Sequence, residues 1–137
     1  MNTNSKLLKD ALKFIPLASQ TYSKSHKVHF KNISPLFDKI ENLLKIDSSI
    51  EIIIVNNGST DYTKNNIQNS NLFIKKKIKV CEIKKNIGYG YGIMQGVLRA
   101  SGNYIGWCHA DLQTEPIDVY NAYMQNFMRL KSEKVLI

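Results

Sequence analysis

Apolar runs along the chain alternate with amphipathic stretches, and this alternation predicts strands and helices in turn. Residues 50–55, IEIIIV, are β-branched and almost continuously apolar, which is typical of a strand buried on both faces of a parallel sheet. Shorter strands are predicted at residues 78–83, 104–108 and 135–137. Each of the first three is followed by a polar or glycine-containing segment, where a turn is expected.

The clearest predicted helix follows Ser34, a candidate N-cap, and Pro35, which suits the first helical turn. Its apolar side chains recur at helical spacing and form one stripe: Leu36, Ile40, Leu43 and Leu44. Upstream, the spacing of a second apolar set predicts a short helix: Leu7, Leu8, Ala11, Leu12 and Ile15. Pro16 would end that helix. The polar segment with His26 and His29 is expected to be a surface loop.

Three further helices are predicted downstream. A weak polar helix covers residues 61–71, and the glycine-rich NIGYGYG opens a helix that reaches Ala100, with Gly102 as its C′ residue. Pro116 begins the last helix, whose apolar face is Val119, Tyr120, Tyr123, Met124 and Phe127. Strands that alternate with helices indicate right-handed βαβ crossovers. We therefore expect an α/β fold of three layers, α/β/α, with a mostly parallel sheet and ligands beyond the carboxyl ends of its strands.

Composition supports one globular domain and narrows the class of partner. The 137 residues are 43% hydrophobic and carry a net charge of +8. Of the 19 basic residues 17 are lysine, whereas nucleic-acid recognition favours arginine, so no nucleic-acid partner is expected. No apolar run approaches the ~18 residues of a membrane span, and the amino terminus lacks a signal-peptide core. We expect a cytoplasmic protein in which Cys81 and Cys108 are buried free thiols.

The segment NNGSTD, residues 56–61, directly follows the buried strand. The side chains of Asn56 and Asn57 can bond a base or ribose edge, and Gly58 allows close approach of the backbone to a ligand. Ser59 and Thr60 can cap the next helix. A tight turn from strand to helix accounts for the same residues equally well, so this motif alone decides nothing.

The glycines of the second motif do not form a dinucleotide fingerprint. The segment contains Gly88, Gly90, Gly92 and Gly96, but the pattern G-x-G-x-x-G fails in both possible registers. The position of the third glycine is Ile93 if the pattern begins at Gly88 and Gln95 if it begins at Gly90. No P-loop sequence occurs either. An NAD-dependent oxidoreductase is therefore disfavoured. The backbone N–H groups at the start of the following helix still favour an anion.

The segment HADLQ, residues 109–113, ends the third strand and places three polar side chains two residues apart. In extended backbone His109, Asp111 and Gln113 would share one side. Imidazole, carboxylate and amide oxygen together can hold Mn²⁺ or Mg²⁺, with substrate phosphates completing the coordination. The simpler interpretation is that His109 and Asp111 pair with each other at the end of a strand.

Taken together, IIIVNNGSTD, NIGYGYGIMQG and ASGNYIGWCHADLQTEP resemble the nucleotide-sugar half of family 2 glycosyltransferases, which have the GT-A fold. The sequence is most similar to the dolichyl-phosphate-mannose-synthase-like branch, over about residues 34–137. The resemblance implies a domain that binds a UDP- or GDP-sugar with Mn²⁺ or Mg²⁺. It also implies transfer of the sugar to a polyprenyl-phosphate or glycan acceptor.

The resemblance can be carried over position by position. Two aspartates that help the family bind base and ribose are replaced here by Asn56 and Asn57, and Asp61 matches the last aspartate of that motif. The family's Asp-x-Asp motif, which holds the metal and the diphosphate, falls on residues 109–111. Implied nucleotide-sugar ligands are Asn56, Asn57, Gly58, Asp61, Gly88 and Asp111, and implied metal ligands are His109, Asp111 and Gln113.

The amino end departs from the family pattern. The family's first strand runs into Pro-x-Tyr-Asn-Glu, and the nearest match, the PLASQ that begins at Pro16, keeps only the proline. We therefore expect residues 1–33 to be a separate leader and residues 34–137 to be a partial GT-A domain. The segment ALKFIPLASQTYSKS also resembles the amino terminus of class III aminotransferases, over about 25 residues that include none of their cofactor chemistry.

Two interpretations of function stay open. Family members carry the acceptor pocket and the general base in their carboxyl-terminal half, so we expect a donor-binding fragment with no identified catalytic base. The alternative is a non-catalytic nucleotide-binding module, which Asn56, Asn57 and His109 favour. Six lysines either attract an anionic membrane, which suits a polyprenyl-phosphate acceptor, or are solvated: Lys75, Lys76, Lys77, Lys79, Lys84 and Lys85.

Overall fold

The computed structural model describes residues 12–17 and 33–132. Within them, a parallel sheet has the strand order β3-β2-β1-β4: β1 Leu12–Leu17, β2 Glu51–Asn57, β3 Lys79–Ile83 and β4 Tyr104–His109. The helices are α1 Ser34–Ile46, α2 Thr63–Gln68, α3 Asn71–Ile74, α4 Tyr89–Val97 and α5 Pro116–Ser132. The strand predicted at residues 135–137 and the loop predicted around His26 and His29 lie outside the described residues.

Because every strand runs in the same direction, the sheet has two chemically different edges. The strands end at Leu17, Asn57, Ile83 and His109 along one edge, which we call the carboxyl edge. They begin along the opposite amino edge. Ligands of open parallel sheets bind beyond the carboxyl edge, and the polar motifs of the sequence follow β2, β3 and β4 there.

Strand β1 takes the place of the predicted helix at Leu12 and Ile15, so that prediction is wrong for these two residues, and its other residues, 7, 8 and 11, lie outside the described part of the chain. The strand lies between β2 and β4, with Phe14 opposite Ile52 and Leu17 opposite His109. A strand in this position exchanges backbone hydrogen bonds with neighbours on both sides. Pairing with distant strands therefore overrides a local helical pattern.

The two faces of the sheet are covered by different helices, because β2 carries apolar side chains on both faces. Ile52 and Ile54 belong to the core shared with α1 and α5. Ile53 and Val55 belong to the core shared with α4. This arrangement confirms the expected α/β/α layers and the prediction that this strand is buried on both sides.

The helix termini refine the predicted boundaries. The N-cap of α1 is Ile33, so Ser34 is the first helical residue and not the cap. Helix α4 ends at Val97 with Leu98 as its C-cap, and Gly102 is therefore not its C′ residue. The polar helix predicted over residues 61–71 divides into α2 and α3, with Ser70 Oγ accepting the N–H of Phe73 at the start of α3. No helix in the described part of the chain is long and apolar enough to span a bilayer.

Both cysteines are buried free thiols, as expected. Burial raises the pKa of Cys108 to about 12, and the charges of Asp111 and Asp118 add to the effect. Burial also raises the pKa of Cys81. At pH 8 only about one Cys108 thiol in 10⁴ would be ionised, and the thiolate is the reactive form.

We expect both thiols to resist Ellman's reagent at pH 8 in the folded protein and to react at least about 100-fold faster in denaturant. The absorbance of the released thiolate measures both rates. Rapid labelling of either cysteine without denaturant would contradict the burial of these side chains.

Candidate functional site

The first motif ends β2 and turns the chain sharply at Gly58. Gly58 has φ +70°, and a Cβ atom there would lie 2.4 Å from the backbone nitrogen of Asn86 and 2.8 Å from the carbonyl carbon of Lys85. Only glycine therefore lets the loop after β3 pack directly on this turn. The N–H of Gly58 donates to the carbonyl oxygen of Asn56 at 3.0 Å, and the N–H of Ser59 donates to Asn56 Oδ1 at 3.2 Å.

The Asn56 side chain is buried and joins β2 to β3. Its Nδ2 donates to Glu82 Oε2 at 3.0 Å, and Glu82 is its register partner on β3. A carboxylate at this position would lose the donor and face another carboxylate. Asparagine can thus accept the N–H of Ser59 and donate to the carboxylate of Glu82 at the same time.

Replacing Asn56 with aspartate should lower the free energy of unfolding by about 2 kcal/mol, because it removes this bond and buries a charge beside Glu82. Urea denaturation measures the loss. The double variant Asn56→Asp with Glu82→Gln should recover most of it, since the glutamine amide can donate to the new carboxylate. Equal losses in the single and double variants would show that Glu82 is not the cause.

Asn57 links the first motif to the second. Its Nδ2 donates to the carbonyl oxygen of Gly88 at 3.1 Å and to Asn86 Oδ1 at 3.3 Å, and Asn86 Oδ1 also accepts the N–H of Gly88 at 3.0 Å. A Cβ atom on Gly92 would lie 3.0 Å from Asn57 Nδ2, so α4 also packs closely on this amide. The loop that precedes α4 is therefore held on the end of β2.

Tyr89 links the second motif to the third. Its ring stacks on the imidazole of His109, with 4.8 Å between the ring centroids and 4° between the ring planes. Tyr89 begins α4, the helix that follows β3, and His109 ends β4. The stack therefore connects segments that belong to the two outer strands of the sheet, β3 and β4. This contact orients the imidazole at the carboxyl edge.

The third motif turns immediately after His109. Leu112 has φ 61°, and Asp111 Oδ1 accepts the N–H of Gln113 at 3.1 Å. The prediction that extended backbone puts His109, Asp111 and Gln113 on one side is therefore wrong. The chain forms a turn instead, in which the Asp111 carboxylate accepts the backbone N–H of Gln113, because strand pairing stops at His109.

The structure gives Asp61 a local role. This exposed residue follows the first motif, and its Oδ1 accepts the N–H of Thr63 at 3.0 Å, at the start of α2. Gly88, in contrast, lies within the linked motifs as the N-cap of α4, with φ +130°. Sequence analysis missed Asn86 and Tyr89, although the asparagine two residues before a glycine is a turn signal that could have identified the first.

The donor atoms of the third motif fit a divalent cation. The Asp111 carboxylate, the Gln113 amide oxygen and the His109 imidazole are ligand types that Mn²⁺ accepts, and a carboxylate can bind an ion while it accepts a hydrogen bond. Among the described residues, no group of three His, Cys, Asp or Glu side chains is placed to hold a metal ion. An ion here would thus depend on the amide and on oxygens from its ligand.

A cavity of about 590 Å³ lies elsewhere, at the amino edge, lined by the first residues of β2 and the segment that enters β3. It contains none of the three motifs. The candidate site is therefore separate from this cavity and lies at the carboxyl edge, which is where the chemistry of a parallel sheet is expected.

A parallel sheet between helices, with its polar motifs at the carboxyl edge, defines an α/β domain of the class whose ligands bind beyond the strand ends. The family model of glycosyl transferase family 2 matches residues 29–125, which include all three motifs. The chain belongs to this family, and membership implies a nucleotide-sugar donor and an acceptor in general. No curated protein matches the chain. Strand β1 lies before the matched segment but within the same sheet.

Proposed function

We propose that the chain binds a UDP- or GDP-sugar at the carboxyl edge, together with Mn²⁺ or Mg²⁺, for transfer of the sugar to a polyprenyl-phosphate or glycan acceptor. The observation that supports this proposal is the continuous series of contacts from Asn57 through Gly88 and Tyr89 to His109. These contacts hold three separate segments in one arrangement before any ligand arrives, which reduces the entropy cost of binding.

The two asparagines act as positioning residues in this proposal. Both are only 2% exposed, and their amide groups bond to Ser59, Glu82, Asn86 and Gly88. The amides therefore fix the turn and the loop before α4, and the backbone of these two segments faces the base and ribose. An asparagine can do this without the charge of the family's aspartates.

The diphosphate lies between the start of α4 and the third motif in this proposal. The unpaired N–H groups in the first turn of a helix attract phosphate oxygens. Asp111, Gln113 and His109 would hold the cation, which supplies Lewis-acid stabilisation of the departing diphosphate. Tyr89 restricts the imidazole to one orientation, and the Asp111–Gln113 hydrogen bond restricts the carboxylate.

Calorimetric titration of the chain with UDP, GDP and their sugar conjugates, with and without Mn²⁺, tests the proposal. We expect one nucleotide to bind, and to bind at least about 100-fold more tightly with the metal. No binding of any nucleotide in the presence of Mn²⁺ would overturn the proposal. Binding that is indifferent to metal, without transfer to any acceptor, would instead support a non-catalytic nucleotide-binding module.

A further inference from the structure

The cavity at the amino edge has a cationic lining. Its walls come from the end of α1, the start of β2, and α3 with the segment that follows it, and they include five lysines and two glutamates. One of the glutamates, Glu51, forms a salt bridge with Lys79. Lys45 Nζ donates to the neutral Asn42 Oδ1 at 3.0 Å, so its charge is not compensated by that contact.

Lys75, Lys76 and Lys77 supply most of the remaining charge. All three are exposed, and the salt bridges found among the described residues involve Lys39 and Lys79 instead. The six lysines that the sequence groups together are divided by the fold. Lys84 and Lys85 follow β3 at the carboxyl edge, at the opposite end of the strands from the cavity.

Exposed apolar residues adjoin these lysines in the sequence, at the ends of α1 and α3. Ile74 is 64% exposed and directly precedes Lys75, and Ile46 is 62% exposed and directly follows Lys45. Phe73 is also exposed. Exposed isoleucine and phenylalanine gain nothing from a sugar-phosphate backbone, whereas lysines next to protruding apolar side chains suit the interface of an anionic bilayer.

We propose that this amino-edge surface, formed by Ile46, Phe73, Ile74 and Lys45 with Lys75–Lys77, docks the chain on an anionic lipid bilayer. The apolar side chains enter the interfacial region, and the cavity accepts a phosphate headgroup between its lysines. Docking at the amino edge leaves the carboxyl edge facing away from the lipid, an orientation that suits the glycan acceptor of the proposed function and not a polyprenyl phosphate held in the same bilayer. This surface shares no residue with the candidate site, so its test is independent of the proposed function.

Sedimentation with vesicles tests the electrostatic part. We expect the chain to bind vesicles that contain phosphatidylglycerol, to bind pure phosphatidylcholine weakly, and to dissociate as salt increases. The double variant Lys75→Gln with Lys77→Gln should bind about 25-fold more weakly, because each lysine near an anionic surface contributes a factor of about five. The matched control, Lys84→Gln with Lys85→Gln, removes the same charge at the other edge and should change binding less than threefold.

The apolar part needs its own pair of variants. Ile74→Ser should weaken vesicle binding about tenfold, because it removes an apolar side chain that the interface would bury. The control is Ile87→Ser at the carboxyl edge, because Ile87 is 60% exposed and Ile74 is 64% exposed. This control should have little effect on vesicle binding. Circular dichroism checks that all variants fold.

Three results would overturn the proposal: no binding to anionic vesicles, equal losses in the two lysine pairs, or no effect of Ile74→Ser. The last result, together with equally tight binding of a soluble polyanion such as heparin, would identify the surface as a general cation patch and not a lipid-docking surface.

Discussion

Replacing Asp111 with asparagine should weaken Mn²⁺-dependent binding of the nucleotide sugar by about 100-fold or more. The carboxylate is the one anionic ligand among the three proposed side chains, and a neutral amide cannot balance the charge of the cation. The interaction between the ion and the diphosphate is worth several kcal/mol, which is the scale of the expected loss. Calorimetry with fixed Mn²⁺ and increasing nucleotide sugar measures it.

The control for this substitution is Asp38→Asn, which neutralises an exposed carboxylate on α1. Nucleotide binding by that variant should be unchanged. Asp111→Asn should also fold normally. In the original chain Asp111 Oδ1 accepts the N–H of Gln113 at 3.1 Å, and the Oδ1 of an asparagine can accept the same hydrogen bond. If Asp111→Asn retained metal-dependent affinity within threefold of the original chain, the cation would not be held by the third motif.

Replacing Gly58 with alanine should lower the free energy of unfolding by about 3 kcal/mol. The left-handed backbone at φ +70° costs a non-glycine residue ~1–2 kcal/mol. The new methyl group would also meet the backbone of Lys85 and Asn86 at distances under 3 Å, and overpacking of this kind adds ~1–3 kcal/mol. The urea midpoint should fall by about 1–2 M.

Gly90→Ala provides the matched comparison. Gly90 lies in α4, and a Cβ atom there would meet nothing within 4 Å. Alanine should leave the free energy of unfolding unchanged or raise it by up to ~1 kcal/mol, because it reduces the flexibility of the unfolded chain. Similar losses in the two variants would show that the loop after β3 does not pack on Gly58.

Elements with a strong periodic pattern could be predicted from the sequence. Helix α1 buries Leu36, Ile40 and Leu43 as its apolar stripe indicates, and β2 is buried on both faces as its continuous apolar run indicates. In both cases the residues that define the pattern are the residues that pack in the core, so local sequence and tertiary environment agree.

Strand β1 could not be predicted in this way. Its residues fit a helical spacing, and what stabilises the strand is pairing with β2 and β4, which lie far along the chain. Non-local pairing of this kind leaves little trace in a short segment. The expected domain boundary at residue 34 rested on the departure of this segment from the family's sequence pattern. The structure places residues 12–17 in the same sheet as β2 and β4.

The candidate site could be located but not assembled from the sequence. Motifs after parallel strands must meet at one edge, and the structure joins Asn57, residues 86–89 and His109 there. The contacts that join them involve Asn86 and Tyr89, whose roles depend on how α4 packs across the strand ends. The turn at Leu112 likewise depends on a backbone conformation that the alternation of residue types does not reveal.

Paramagnetic broadening by Mn²⁺ tests most directly where the donor binds. In an amide proton–nitrogen spectrum recorded with the nucleotide bound, substoichiometric Mn²⁺ should broaden the signals of Gly58, Gly88, Tyr89 and residues 109–113, and it should spare Ser48 and Lys77 at the amino edge. Broadening centred on Ser48 and Lys77, with the carboxyl-edge signals unaffected, would contradict a metal-dependent donor site at the ends of the strands.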